Sequence, residues 1–197
     1  MKTITLITNS DILNLEDTIK LSKKLSRIGL DRIQIREKNI PINKLRNFIK
    51  KMKDSTDETC KLILNGNFDL AVEYNLNGVH FPEKYPITKK FSTKNLIIGR
   101  SIHENTKLTN DHNNLDYFHL GPIFTTLSHP NEKTINEENI SYITKKLSNI
   151  VLVGGINKNN AKKLLKYNFS GIAVMRELLL STNPEETFLD LKEKINE

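Results

Sequence analysis

One pattern recurs along this chain: a short apolar run rich in β-branched residues, then a segment whose apolar residues are spaced for a helix. Its clearest instance is residues 151–175, VLVGGINKNNAKKLLKYNFSGIAVM. The runs at 150–153 and 171–174 suit strands buried on both faces. Between them, Leu164 and Leu165 sit among Lys and Asn, which predicts a helix of about three turns covering one side of a sheet. Strand, helix and strand make a right-handed βαβ unit. Gly154 and Gly155 fall where the first strand ends. Either they only permit a tight turn, or they let the backbone bare its N–H groups to an anion.

The alternation begins at 3–8, followed by 15–28, where Ile19, Leu21, Leu25 and Ile28 form an apolar stripe and Gly29 stops the helix. It returns at 33–35 with Leu45, Phe48, Ile49 and Met52 at helical spacing, and at 62–64 with 69–74. The run at 78–80 meets a turn holding Pro82 and Pro86. The runs at 97–98 and 117–120 precede a polar segment at 104–110 and, after a long loop, a helix at 140–147. With a last helix at 185–195 the count is eight β/α units. Eight units without a break in composition predict an α/β fold, one small (β/α)8 TIM barrel spanning 1–197 as one domain. At 197 residues the connections must be short, since such barrels typically take ~250. A doubly wound sheet is the alternative.

Composition narrows the class of function. The longest apolar runs fall well short of the ~20 residues that cross a membrane, and mean hydropathy is −0.45. The amino terminus, MKTITLITNSD, turns polar after a strand's length and does not read as a signal peptide. Cys60 is the sole cysteine, so an internal disulfide and a cysteine-based metal cluster are excluded, and a cytoplasmic protein is expected. The formal charge is +7. Its Lys and Arg are spread along helix-like segments without interleaved aromatics, which argues against nucleic acid and favours a solvated surface. That surface would mildly attract small phosphorylated substrates.

In a β/α barrel the residues at the carboxyl ends of the strands face the active site, and the loops after the last two strands often hold phosphate. Here those ends carry Gln34, Arg36, Glu37 and Lys38, then Asn65, His80, Arg100 and Ser101, Gly121-Pro122, Gly154-Gly155, and Val174, Met175 and Arg176. The set is cationic, with Glu37 its one acid, and suits an anionic substrate. Its His, Asp and Glu have no metal-ligand spacing. Ser101 and His103 could mimic a nucleophile and its base, but a capping role is preferred for neighbours two apart.

Read together, these motifs resemble the thiamine-phosphate synthase and TenI superfamily almost from end to end. They are QIREK at 34–38, LILNGNFDLAVEYNLNGVHFP at 62–82, GRSIH at 99–103, GPIFTT at 121–126, VGGI at 153–156 and GIAVM at 171–175. The resemblance implies a small (β/α)8 barrel acting on the phosphorylated thiazole half of thiamine. It makes Gln34, Arg36, Lys38, Asn65, Arg100, Ser101, Thr126 and Ser128 candidate substrate contacts. Gly154, Gly155, Val174, Met175 and Arg176 become the candidate phosphate site.

The departures point to a branch. Family synthases place Asp after the strand-three Asn and another beyond the strand-four His, and these hold Mg²⁺. Here Gly66 and Tyr85 occupy those positions, and Glu83 or Asp69 would have to substitute. The synthases' Thr-x-Thr-Lys loop reads Thr126-Leu127-Ser128-His129, so its Lys is missing. Asn65-Gly66 and GRSIH look like TenI proteins, which include thiazole tautomerases, yet the tautomerase His is replaced by Pro122. His119 shares strand parity with Gly121 and either shuttles protons or fills an interior layer. Glu37 is a second candidate base if buried beside Arg36. His129 would lie in solvent, and His112 carries no signal. The leading expectation is a TenI-like tautomerase on thiazole phosphate carboxylate, with no metal and no cofactor. The alternatives are a divergent synthase joining thiazole phosphate to pyrimidine diphosphate, which alone would need Mg²⁺, and a non-catalytic binding paralogue. A small phosphorylated thiazole is the expected partner; assembly into a homo-oligomer is left open.

Overall fold

The apolar runs become strands because a barrel buries both of their faces, one against helices and one around its axis. The computed structural model describes residues 1–86, 95–107, 115–126 and 133–197. In order come β1 (Thr3–Ile7), α1 (Leu15–Arg27), β2 (Arg32–Ile35), α2 (Ile42–Ser55), β3 (Lys61–Asn65), α3 (Phe68–Glu73) and β4 (Gly78–Phe81). Then follow β5 (Ile97–Ile102), β6 (Tyr117–Leu120), α4 (Glu137–Lys146), β7 (Ile150–Val153), a 3₁₀ helix (Ala161–Lys166), β8 (Gly171–Val174), α5 (Arg176–Leu179) and α6 (Pro184–Asn196). Each strand pairs in parallel with the next, and β8 returns to β1 with Ile4 opposite Ile172, closing the expected (β/α)8 barrel. No helix among the described residues is long and apolar enough to cross a membrane.

Three elements differ from the sequence reading. The segment after β7 makes a six-residue 3₁₀ helix where three α-turns are expected. The Asn157 and Asn160 side chains there accept from local backbone N–H groups, at 3.2 Å from Asn160 and 2.9 Å from Asn157. Asn side chains that satisfy the backbone locally compete with helix formation. Strand β5 reaches Ile102 because the ladder to β6 continues through Ser101 opposite His119. Helix α4 starts three residues early, since Asn136 Oδ1 caps it by accepting from Asn139 N at 2.8 Å.

Strand alternation sorts the core in two. Phe48, Ile49 and Met52 of α2 belong to the larger cluster between strands and helices, with Val79, Phe81, Phe118 and Leu120. Ile7, Tyr117, Val151 and Ala173 cluster inside the barrel. Tyr117 fits there because Gly99 has no side chain: a Cβ on Gly99 would lie 2.1 Å from the Tyr117 ring. The Arg32 guanidinium sits 4.9 Å from that ring's centroid, a cation–π contact within the barrel.

Candidate active site

A cavity of about 470 Å³ opens at the carboxyl ends of the strands. On its β2 side stand Arg36 and Lys38. Burial pushes the Arg36 guanidinium down from its usual value, against the pull of Glu37; the group stays cationic in a partly dehydrated setting. Below them Gln34 is buried and donates from Nε2 to Asn65 Oδ1 at 2.9 Å, so both amides line one wall. Glu37, expected as a base, is placed otherwise. Its oxygens accept from Thr8 Oγ1 at 2.5 Å and Ser10 N at 2.8 Å, and it does not line the cavity. With both oxygens committed to the chain after β1, it joins two strand ends.

On the β7–β8 side, Gly154 (φ 100°) and Gly155 (φ 65°) take backbone angles open mainly to glycine. Close approach adds a second requirement: a Cβ on Gly155 would lie 2.4 Å from the Thr125 carbonyl oxygen. The loop after β6 is held against the pair, with Phe124 N donating to Gly154 O at 3.0 Å. Both glycines and Ile156 line the cavity. Among the described residues, no group accepts from the N–H of Gly155 or Ile156. Val174, Met175, Arg176 and Thr126 complete this wall. Helix α5, only four residues long, contributes little dipole.

The floor is made by strands β4 to β6. His80 Nδ1 lies 3.0 Å from Tyr117 Oη and its Nε2 lies 2.9 Å from Ser101 Oγ. The His119 ring lies 4.3 Å from that of His80 between centroids, tilted by 36°, and among the described residues its Nε2 has no hydrogen-bond partner. Burial, helped by Arg32, pushes the His119 imidazole down to about 3, and burial also drives His80 far down, so both rings are neutral near pH 7. Ser101 and His103 do not pair with each other: Ser101 Oγ lies 2.9 Å from His80 Nε2 and His103 Nδ1 lies 2.7 Å from Gly121 O, and among the described residues neither caps a helix.

At the β3–β4 rim no carboxylate stands at Gly66 or Tyr85. A Cβ on Gly66 would have no atom within 4 Å, and the Tyr85 ring stacks on Phe81 instead. Glu83 is the carboxylate lining this side of the cavity, and it accepts from Thr106 Oγ1; Asp69 is outside the lining. Mg²⁺ is usually held by one or two carboxylates with substrate phosphates. The family's pair is absent, and the described residues contain no cluster of three metal-ligating side chains. The two family positions thus supply no ligand for that metal, and Glu83 is the one described carboxylate on this rim.

Arg100, an expected contact, faces away. Its neighbours Gly99 and Ser101 have the interior parity, and its guanidinium donates to the Tyr85 carbonyl outside the cavity. Ser128 lies outside the described residues, as do His112 and His129. The sequence reading passes over Tyr117, although it shares the parity of His119, and over Ile156.

Residues 4–178 match the family described as thiamine monophosphate synthase. A thiamine-phosphate synthase of Clostridium tetani is 32% identical over 185 residues, covering 90% of this chain and 88% of that protein. Another, of Clostridium botulinum (strain Loch Maree), is 34% identical over 159 residues, 77% of each. Among solved structures, the thiamine phosphate pyrophosphorylase of Pyrococcus furiosus has the same fold, with a TM-score of 0.84 over 98% of this chain and 95% of that one at 24% identity. The chain is a member of the thiamine monophosphate synthase family.

Proposed function

We propose that the protein joins a phosphorylated thiazole to a pyrimidine diphosphate, the coupling after which its curated relatives are named. The observation that carries this is one cavity lined on its β2 side by Arg36 and Lys38 and on its β7–β8 side by the bare N–H groups of Gly155 and Ile156. Backbone N–H groups beside Arg176 suit the thiazole's phosphate. The two cations suit the diphosphate, whose charge they offset as it leaves and the bond to the thiazole forms. No step is assigned to a metal.

Proton transfer on thiazole phosphate carboxylate is the second reading, favoured by the empty carboxylate positions at Gly66 and Tyr85. It ranks below coupling for two reasons. The relatives at 32–34% identity bear the synthase name, and a neutral His119 with its value near 3 is a weak base and no acid at pH 7. The test incubates the protein with thiazole phosphate plus pyrimidine diphosphate, and separately with thiazole phosphate carboxylate, each with Mg²⁺ or a chelator. Thiamine phosphate in the first arm supports coupling. Isomerised product in the second arm alone replaces it with the tautomerase. Binding without product in either arm leaves the non-catalytic paralogue.

A further inference from the structure

We infer that Tyr117 and His80 fix the polarity of the Ser101 hydroxyl, holding it as a hydrogen-bond donor towards the substrate, so that Tyr117 is a positioning residue. The three groups form a chain: Tyr117 Oη to His80 Nδ1 at 3.0 Å, then His80 Nε2 to Ser101 Oγ at 2.9 Å. His80 and Tyr117 are buried; Ser101 and His80 line the cavity, and Tyr117 does not. Burial pushes the imidazole down and the phenol up, so each is neutral at pH 7. A neutral imidazole donates through one nitrogen and accepts through the other. Three hydrogens therefore serve two bonds, and one is left over.

Two arrangements exist. If Ser101 donates to Nε2, then Nδ1–H donates to Tyr117, and the phenol hydrogen is the one left over, inside the barrel. Among the described residues no group receives it: His80 Nδ1 is the one hydrogen-bond partner of Tyr117 Oη. Arg32, over the ring, has only donors. The buried acceptors Thr5 Oγ1, Gln34 Oε1 and His119 Nε2 make no hydrogen bond at all. If instead Tyr117 donates to Nδ1, then Nε2–H donates to Ser101, and the spare hydrogen is on Ser101 at the cavity, where ligand or water accepts it. Stranding a buried hydroxyl hydrogen disfavours the first arrangement by about 10-fold or more. Ser101 then meets an acceptor atom of the substrate, an anionic oxygen or a ring nitrogen, and discriminates against a donor there. This last step rests on the coupling reading; the polarity of the chain does not.

The test reads the tautomer directly, by long-range ¹H–¹⁵N NMR on the unliganded, full-length protein with labelled histidine, His80 being assigned through His80→Gln. The expected result is His80 protonated on Nε2, in wild type and in Ser101→Ala alike. Protonation on Nδ1 in wild type overturns the proposal. In Tyr117→Phe neither form keeps a partner at Nδ1, so the preference is weakened and His80 should show a mixture of the two tautomers. In the coupling assay Ser101→Ala and Tyr117→Phe should each cut kcat/KM by about 10-fold, and the double variant should lose no more than Ser101→Ala alone. Additive losses would overturn the positioning role. If Tyr117→Phe does not fold, the wild-type and Ser101→Ala tautomers still decide. The predicted tautomer with no turnover in wild type would uphold the chain and reject the coupling reading.

Discussion

The β7–β8 wall and the β3–β4 rim face one cavity and are built from different material. The first offers main-chain N–H groups, fixed by two glycines at positive φ and by the loop after β6 pressed against them. The second would depend on side-chain carboxylates, and it has Gly66 and an outward Tyr85 instead. A site made of backbone cannot lose one donor without refolding its loop, whereas a site made of side chains disappears by substitution with the fold untouched. The proposed anion cradle is thus tied to the architecture of the barrel, and a metal subsite built on the Gly66 and Tyr85 positions is not.

The largest expected effect breaks the first region. Gly155→Ala forces a Cβ against the Thr125 and Phe124 carbonyl oxygens at a positive φ. Two charge-assisted bonds at ~1.5–3 kcal/mol each then fail, so calorimetry should show thiazole phosphate binding weakened by about 100-fold or more. Unchanged affinity would remove the cradle from the account. Arg36→Met attacks the β2 side of the cavity. Losing one such bond should weaken pyrimidine diphosphate binding by about 10- to 100-fold while sparing thiazole phosphate. Equal losses for both ligands would mean that the walls are not separate subsites.

The floor supplies a pH signature. His119 falls from the usual 6.5 to about 3 on folding, so the unfolded chain takes up a proton that the folded chain refuses. Stability is therefore full above the unfolded value and falls as pH drops from 6.5 towards 3, at about 1.4 kcal/mol per pH unit. His80, shifted in the same direction, adds to this. Urea unfolding should show a shallower decline below pH 6.5 for His119→Phe than for wild type; equal slopes would contradict the buried neutral ring. The smallest effect belongs to the rim. Gly66→Asp places a carboxylate into open space at φ 79°, an angle Asp tolerates better than most residues. It should add a modest Mg²⁺ stimulation of coupling that wild type lacks, and no change would mean that this rim no longer faces the diphosphate.

Much of this was legible in the sequence. The β-branched runs announced strands buried on both faces, and the Gly pair at a strand end marked two positive-φ residues that line the cavity. Local alternation also held the answer for Arg100: lying between Gly99 and Ser101, it had to face outward. Other assignments depended on contacts distant in sequence. Glu37 is committed by Thr8 and Ser10, 29 and 27 residues away, and no periodicity reports such a pairing. The 3₁₀ helix after β7 follows from Asn side chains choosing the local backbone, a competition that apolar spacing does not register. His119 was correctly placed in the interior by parity, but its lowered basicity comes from burial and Arg32, which are properties of the closed barrel.

The most direct test of the backbone cradle is a titration of ¹⁵N-labelled protein with thiazole phosphate, following the Gly155 and Ile156 amides. Both should move downfield together as the phosphate saturates, and the unphosphorylated thiazole alcohol should leave them in place. Saturable binding in which those two amides stay fixed would contradict it.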